Sequence, residues 1–353
     1  MKQAVTTGVR RVEFGETVAP GAPGPGEALL HIAAVGICGS DIGMWAGTDP
    51  YAVFPIRQGH EFSARIAALG PDYGGPLRVG QLCAVEPLLP DRTCIACRRG
   101  HPNCCRTLRV YGAHLDGALT EQLIVPFRNL YPADDLTPEL ASFVEPISIG
   151  LQMVTRSGLE PGDQAVIFGA GPIGQAVQVA AADRGARLLS VDVVPGRLDR
   201  ALANGAEVAV NSRDDDVSAR IAAWTDGEGP AVVFEATGVG AVLREAIDVV
   251  ANSGTVVVAG TSNDDIAIPS LTLVKKEINL LGSRNNAGLF GEAVDLVRRH
   301  RDRCESLITQ RYPLEQVQQA FEFGEANPAL ANKIMVLVTG ETDGSMPSAA
   351  STN

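Results

Sequence analysis

Residues 164–192 read QAVIFGAGPIGQAVQVAAADRGARLLSVD, and this stretch decides the fold. QAVIF is a short apolar run bounded by glycine, the pattern of a strand covered on both faces. Gly169, Gly171 and Gly174 follow, and Ile173, Val177, Ala180 and Ala181 then recur at helical spacing. RLLSVD is a second apolar run that ends on Asp192. Strand, glycine turn, helix and strand make a βαβ unit. In such a unit the first glycine permits a tight turn, the second lets the backbone approach a pyrophosphate, and the third lets the helix pack on the strand. The helix N-terminus attracts the anion. Pro172 suits the first turn, where its missing N–H has no partner to lose. Asp192 comes 18 residues after Gly174 (192 − 174). A carboxylate there accepts hydrogen bonds from a ribose 2′-OH and repels a 2′-phosphate, so the unit predicts a site for NAD rather than NADP. Gly169, Gly171, Pro172, Ile173, Gly174, Asp192 and Arg197 are the candidate cofactor residues.

Working outward, the apolar runs EVAVN, AVVFEAT, TVVVAG and INLLG continue on the C-terminal side, with helix-like stretches between many of them. They predict a doubly wound parallel sheet, and thus an α/β fold class. Beyond Gly282, AVDLVRRHR and EQVQQAFEFGEA have helical periodicity, and NKIMVLV reads as one more strand. Residues 1–150 are rich in Gly and Pro, with β-like runs such as EALLHIAAVGI and QLCAVEP between turn clusters. That half predicts an all-β domain with long loops. The tail GETDGSMPSAASTN, residues 340–353, is small and polar and predicts disorder.

A length of 353 residues points to two domains at about 150 residues each. Hydrophobic residues at 45% and charged residues at 20% fit a globular chain and argue against coiled coil or disorder. The net charge of −12 has the wrong sign for a phosphate backbone, so neither nucleic acid nor an anionic membrane is an expected partner. No apolar run approaches the roughly 18 residues of a membrane span, and the opening MKQAVTTGVRRVEFGE lacks an apolar signal core, so a cytoplasmic location is expected. Four of the seven cysteines, Cys94, Cys97, Cys104 and Cys105, fall within twelve residues, which in a reducing compartment points to metal more than to disulfide.

Three further segments each supply a potential metal ligand: GICGSD at 36–41, GHEF at 59–62 and VEPISIG at 144–150. With the cysteine cluster and the glycine fingerprint, the chain resembles the zinc-dependent medium-chain alcohol and polyol dehydrogenases from residue 1 to about 339. The nearest likeness is to the sorbitol, threonine and hexonate 5-dehydrogenase branch. The resemblance implies a GroES-like β-rich catalytic domain made of residues 1–150 and 287–339, with a Rossmann domain, 151–286, inserted in it. It implies Cys38, His60 and Glu145 as catalytic zinc ligands, with Glu61 beside the metal and able to exchange onto it. Thiolate, imidazole and carboxylate all suit Zn²⁺, and three protein ligands leave a fourth position open. One thiolate and one carboxylate neutralise the ion, whereas permanent ligation by Glu61 would make the site anionic, so Glu61 ranks second. Taken singly, Cys38 also reads as a small buried apolar residue, and Glu145 before Pro146 as part of a chain turn.

The same resemblance gives Ser40 the role of taking the substrate proton, its plainer reading being an N-cap for the following helix. Many relatives carry His three residues after this Ser, where this chain has Gly43. Relatives hold a second, structural zinc on four cysteines. Aligned on Cys94, Cys97 and Cys105, the first of those positions falls on Asp91, leaving Cys104 a spare thiol. His114 and Asp116 match a stretch that in polyol and sugar-acid relatives lies toward the substrate cleft. Arg57, Arg284 and Lys333 are possible anion partners, with solvated surface charge the favoured reading. The resemblance implies an NAD-dependent, zinc-dependent enzyme that oxidises a secondary hydroxyl of a polyol, sugar or sugar acid to a ketone, acting as a homotetramer or homodimer. The rival readings are a threonine or simple secondary alcohol dehydrogenase and a non-catalytic NAD(H)-binding sensor.

Overall fold

The computed structural model describes residues 1–49, 52–71, 73–263 and 265–338. The tail assigned to 340–353 lies outside the described residues. After an antiparallel pair of strands, Lys2–Gly8 and Arg11–Glu16, the chain builds β1 (Glu27–Ile37), helix α1 (Gly39–Ala46), β2 (Glu61–Leu69), β3 (Leu82–Val85), β4 (Gln122–Pro126) and β5 (Leu130–Pro132). Helix α2 (Pro138–Ser157) carries it to the second sheet. There β6 (Gln164–Phe168), helix α3 (Pro172–Asp183), β7 (Arg187–Asp192), β8 (Val208–Asn211), β9 (Val232–Glu235), β10 (Thr255–Val258) and β11 (Asn279–Gly282) follow. After helix α4 (Phe290–Arg299) the chain returns to the first sheet with β12 (Ile308–Pro313) and β13 (Lys333–Leu337).

The second sheet has the order β8-β7-β6-β9-β10-β11, and every pair in it is parallel. The order reverses between β6 and β9, so a crevice opens at the carboxyl ends of these strands, where an α/β sheet binds ligands. The first sheet runs β12-β13-β1-β2-β3-β5, with β4 also paired to β1. Its pairs are antiparallel except β12 with β13. The register sets Gly36 of β1 directly opposite Glu61 of β2, and Met335 of β13 opposite Gly36.

Helix α2 corrects the all-β expectation for the first 150 residues. Thr137 caps it by accepting from the Leu140 N–H at 3.2 Å, Pro138 occupies the first turn, and Gly158 ends it in a left-handed conformation. Most of its residues are buried, because α2 packs between α3, α4 and the first sheet. A helix covered on nearly all sides shows no amphipathic stripe, and Pro146 within it imitates a break. Glu145 therefore sits in a helix, not at a chain turn.

Candidate active site

The sheet register and two helices bring the ligand candidates together. Cys38 stands at the start of α1, whose N-terminus Asp41 closes by accepting from the Cys38 N–H at 3.0 Å. Helix α1 begins at Gly39, so Cys38 and not Ser40 is the N-cap. Ser40 is exposed on the first turn. The Cys38 sulfur, a His60 ring nitrogen and a Glu61 oxygen lie within 4.8 Å of one another. Asp41, 2% exposed, stands 3.4 Å from the inner nitrogen of His60. Burial alone would lower the His60 pKa, but the Asp41 carboxylate raises it well above the ordinary value.

Glu61 has a second partner: both its oxygens are 2.6 Å from the Lys333 ammonium, which also reaches the Ile37 carbonyl at 3.3 Å. Room for this carboxylate exists only because residue 36 is glycine, since a Cβ there would stand 2.1 Å from Glu61 Oε2. Lys333 and Glu61 are both 1% exposed, so Lys333 is not surface charge. Glu145 differs from Glu61. It is 4% exposed, its Oε2 has no hydrogen-bond partner, and burial pushes its pKa up to about 7 against the opposing pull of His60. Glu145 stands outside the group of three whose ligand atoms lie within 4.8 Å, but its buried, unpartnered oxygen, near enough to His60 to feel its charge, is one that a bound cation would complete. These residues therefore fit a zinc ion.

At the crevice of the second sheet, Gly169 has φ +93°, a left-handed value, and a Cβ on Gly174 would stand 1.7 Å from the Gly169 carbonyl oxygen. Pro172 opens α3 with Ile173 next to it, and no side chain crowds Gly171 closer than Arg197, 3.7 Å from where its Cβ would be. Asp192 ends β7, largely buried, accepting from the Ala170 N–H at 2.8 Å and the Val194 N–H at 2.9 Å, with Arg197 3.6 Å away. The carboxylate thus ties the glycine turn to the next strand.

In the cysteine-rich segment, ligand atoms of Asp91, Cys94, Cys97 and Cys105 lie within 4.8 Å of one another, and Cys104 is exposed outside the group. Asp91 accepts from the Thr93 N–H at 2.7 Å and the Thr107 hydroxyl at 2.7 Å, which hold its carboxyl well below the usual range. Backbone N–H groups of Cys97 and Arg106 bring the Cys94 thiol down to about 7. An anionic oxygen and three thiols in this arrangement suit a closed tetrahedral zinc site.

Residues 24–135 match the alcohol dehydrogenase GroES-like domain, and residues 172–299 match the zinc-binding dehydrogenase domain. The L-galactonate-5-dehydrogenase of Escherichia coli (strain K12) is 33% identical over 301 residues, covering 85% of this chain and 88% of that protein. The chain belongs to the zinc-binding dehydrogenases. The sorbitol dehydrogenase of Bombyx mori is 32% identical over 323 residues, covering 88% of this chain and 91% of that protein. The crystal structure of the alcohol dehydrogenase RspB from Escherichia coli CFT073, in complex with NADH, superposes with a TM-score of 0.90 at 27% identity, covering 96% and 99% of the two chains. The chain is thus built as a GroES-like part and a Rossmann part, as a zinc-binding dehydrogenase is. The reading as a non-catalytic sensor is not favoured.

In this dehydrogenase the loop that carries His60 is held by residues that the sequence left unassigned or gave other roles. Gln58 donates to the Asp41 carbonyl at 2.9 Å and accepts from the Thr6 hydroxyl at 2.5 Å. Arg57 reaches the Gly117 carbonyl and Gln3, and its side chain is only 11% exposed, so it too departs from the surface-charge reading. Asp116 accepts from the Arg57 N–H at 3.2 Å, and His114 is exposed nearby. Arg284 is exposed. Asp41 had one legible signal, its place three residues after Cys38. Lys333 had none, because it meets Glu61 only through the pairing of β13 with β1. Among the described residues no helix is long and apolar enough to cross a membrane.

Proposed function

We propose that this dehydrogenase oxidises a secondary hydroxyl of a sugar acid or polyol to a ketone, with NAD⁺ as the hydride acceptor. The observation that carries this reading is the cluster of Cys38, His60 and Glu61 ligand atoms, with the orphaned Glu145 oxygen near enough to His60 to feel its charge. The activities named for the relatives from Escherichia coli and Bombyx mori support the substrate class. Cys38, His60 and Glu145 hold the catalytic zinc, and Glu61, neutralised by Lys333, stays beside it. Zinc, when bound, supplies Lewis acidity that favours ionisation of the substrate hydroxyl.

The chain's own groups do the rest. Asp41 orients the His60 ring, as an outer partner of a ligating imidazole does. Ser40, exposed at the start of α1, accepts the substrate proton. Gly43 leaves open the space that relatives fill with His, and the Thr48 hydroxyl lies 3.4 Å from where a Cβ would stand, so the proton leaves through hydroxyls and solvent. Asp192 receives the ribose, Arg197 flanks it, and the N-terminus of α3 faces the pyrophosphate. His114 and Asp116 stand as substrate contacts on the resemblance alone. Asp91, Cys94, Cys97 and Cys105 hold a structural zinc. Residues 1–150 with 287–339 form the catalytic domain and 151–286 the NAD domain.

The seven free cysteines accord with a reducing cytoplasm. A homodimer or homotetramer rests on the family resemblance alone. The test is NAD⁺ reduction across hexonates, polyols, simple alcohols and threonine, with and without chelator. Fastest turnover of a hexonate or polyol, abolished by chelation, is expected. Preference for a plain C2–C4 alcohol overturns the substrate class, and full activity after complete zinc removal overturns the mechanism.

A further inference from the structure

A cavity of about 570 Å³ lies where the cysteine-rich segment, the last turn of α2 and the residues after β11 meet. That volume is in the range of small-molecule sites. It shares no residue with the Cys38–His60–Glu61–Glu145 cluster. Arg156 follows Glu145 by eleven residues on α2, about 16 Å along the helix axis. Arg99, Arg156, Arg284 and His101 line the cavity, and no Asp or Glu does. Among the described residues no hydrogen bond or ion pair engages any of these three guanidinium groups. In a chain of net charge −12, three unneutralised guanidiniums around one cavity are a local excess that an anion would relieve.

The buried side of the cavity is equally incomplete. Asn103, 3% exposed, donates to the Arg284 carbonyl at 2.7 Å, yet its Oδ1 has no partner. Arg156 Nε and the Ser283 hydroxyl are buried atoms without partners as well. Buried polar groups are ordinarily satisfied, so a wall with two free donors and one free acceptor specifies its complement. We propose that this cavity is a second binding site of the dehydrogenase, for a small oxyanion, carboxylate or phosphate, that also carries hydroxyl groups. The oxyanion takes the Arg156 and Ser283 donors under the charge of Arg99 and Arg284. A hydroxyl of the same molecule donates to Asn103 Oδ1.

Calorimetric titration of the zinc-loaded protein without NAD⁺ tests this, with 6-phosphogluconate, gluconate, inorganic phosphate and sorbitol as probes. Binding of 6-phosphogluconate or gluconate is expected, with sorbitol silent. The order of the two acids and inorganic phosphate tells which oxyanion is preferred. Arg156→Gln and Arg99→Gln should each weaken that binding by about ten-fold or more, whereas Arg220→Gln, an exposed arginine elsewhere, should not. kcat/KM for the oxidised substrate should stay within about two-fold, which separates this site from the catalytic one. No binding of any oxyanion, or equal binding by all variants, overturns the proposal. So does a change of oligomeric mass in Arg156→Gln, which would make the cavity an interface between copies. The titration needs no turnover, so a failure of the proposed oxidation leaves its outcome readable.

Discussion

The Lys333 ammonium lies 2.6 Å from each carboxylate oxygen of Glu61, and neither side chain is more than 1% exposed. This pairing removes one of two carboxylates from competition at the zinc-binding cluster. It leaves Glu145 as the anion whose oxygen is free. The proposed ligation by Cys38, His60 and Glu145 would then keep the bound ion and its ligands neutral.

Lys333→Met should expose the consequence. Removing one partner of a buried pair leaves an uncompensated charge and costs about 3–5 kcal/mol. Urea unfolding should show this loss most clearly in metal-free protein. Bound zinc offers the released Glu61 another cation, so the loss should shrink in zinc-loaded protein while kcat falls. The double variant Lys333→Met, Glu61→Gln should regain stability. Equal destabilisation with and without zinc would show that Glu61 does not face the metal.

Glu145 gives a pH dependence with a definite sign. Its carboxyl is held at about 7 in the folded protein against an ordinary 4.5, so the folded state binds its proton more tightly. The contribution is present below about 4.5 and is lost as pH rises toward 7. Melting curves of metal-free protein should therefore show a fall over that window that Glu145→Gln lacks. Zinc loading should remove the difference between them. Parallel curves for the two metal-free proteins would count against the burial argument.

Asp192 should make the enzyme prefer NAD⁺. A 2′-phosphate would meet a carboxylate already committed to Ala170 and Val194, and like charges at that range cost several kcal/mol. Asp192→Asn keeps one acceptor for the turn and should narrow the ratio of kcat/KM for NAD⁺ over NADP⁺ by about ten-fold or more. Comparable wild-type values for the two cofactors contradict it.

The second cluster predicts metal content. Purified protein should carry about two zinc ions per chain, and Asp91→Ala should reduce this to about one while lowering the melting temperature. Cys104→Ser should alter neither, because Cys104 stands outside the group of four. Full zinc content in Asp91→Ala would return the fourth position to another ligand.

The strands QAVIF, RLLSVD and TVVVAG were readable from sequence because parallel strands covered on both faces are apolar without interruption, and the glycine fingerprint is a local requirement of one turn. The cysteine cluster was readable as a local feature too, whereas Asp91 joined Cys94, Cys97 and Cys105 only through the family resemblance; the four close over fifteen residues. Tertiary structure alone decided the rest. Helix α2 is buried between two sheets, so packing erased its period and Pro146 disguised it. Glu61, Gly36 and Lys333 come from three strands, and Lys333 is far from the other two in sequence. Only strand pairing reveals that Lys333 is a buried counter-ion. A charge is assigned to surface or core by what faces it across the sheet, and sequence contains that information only through the fold.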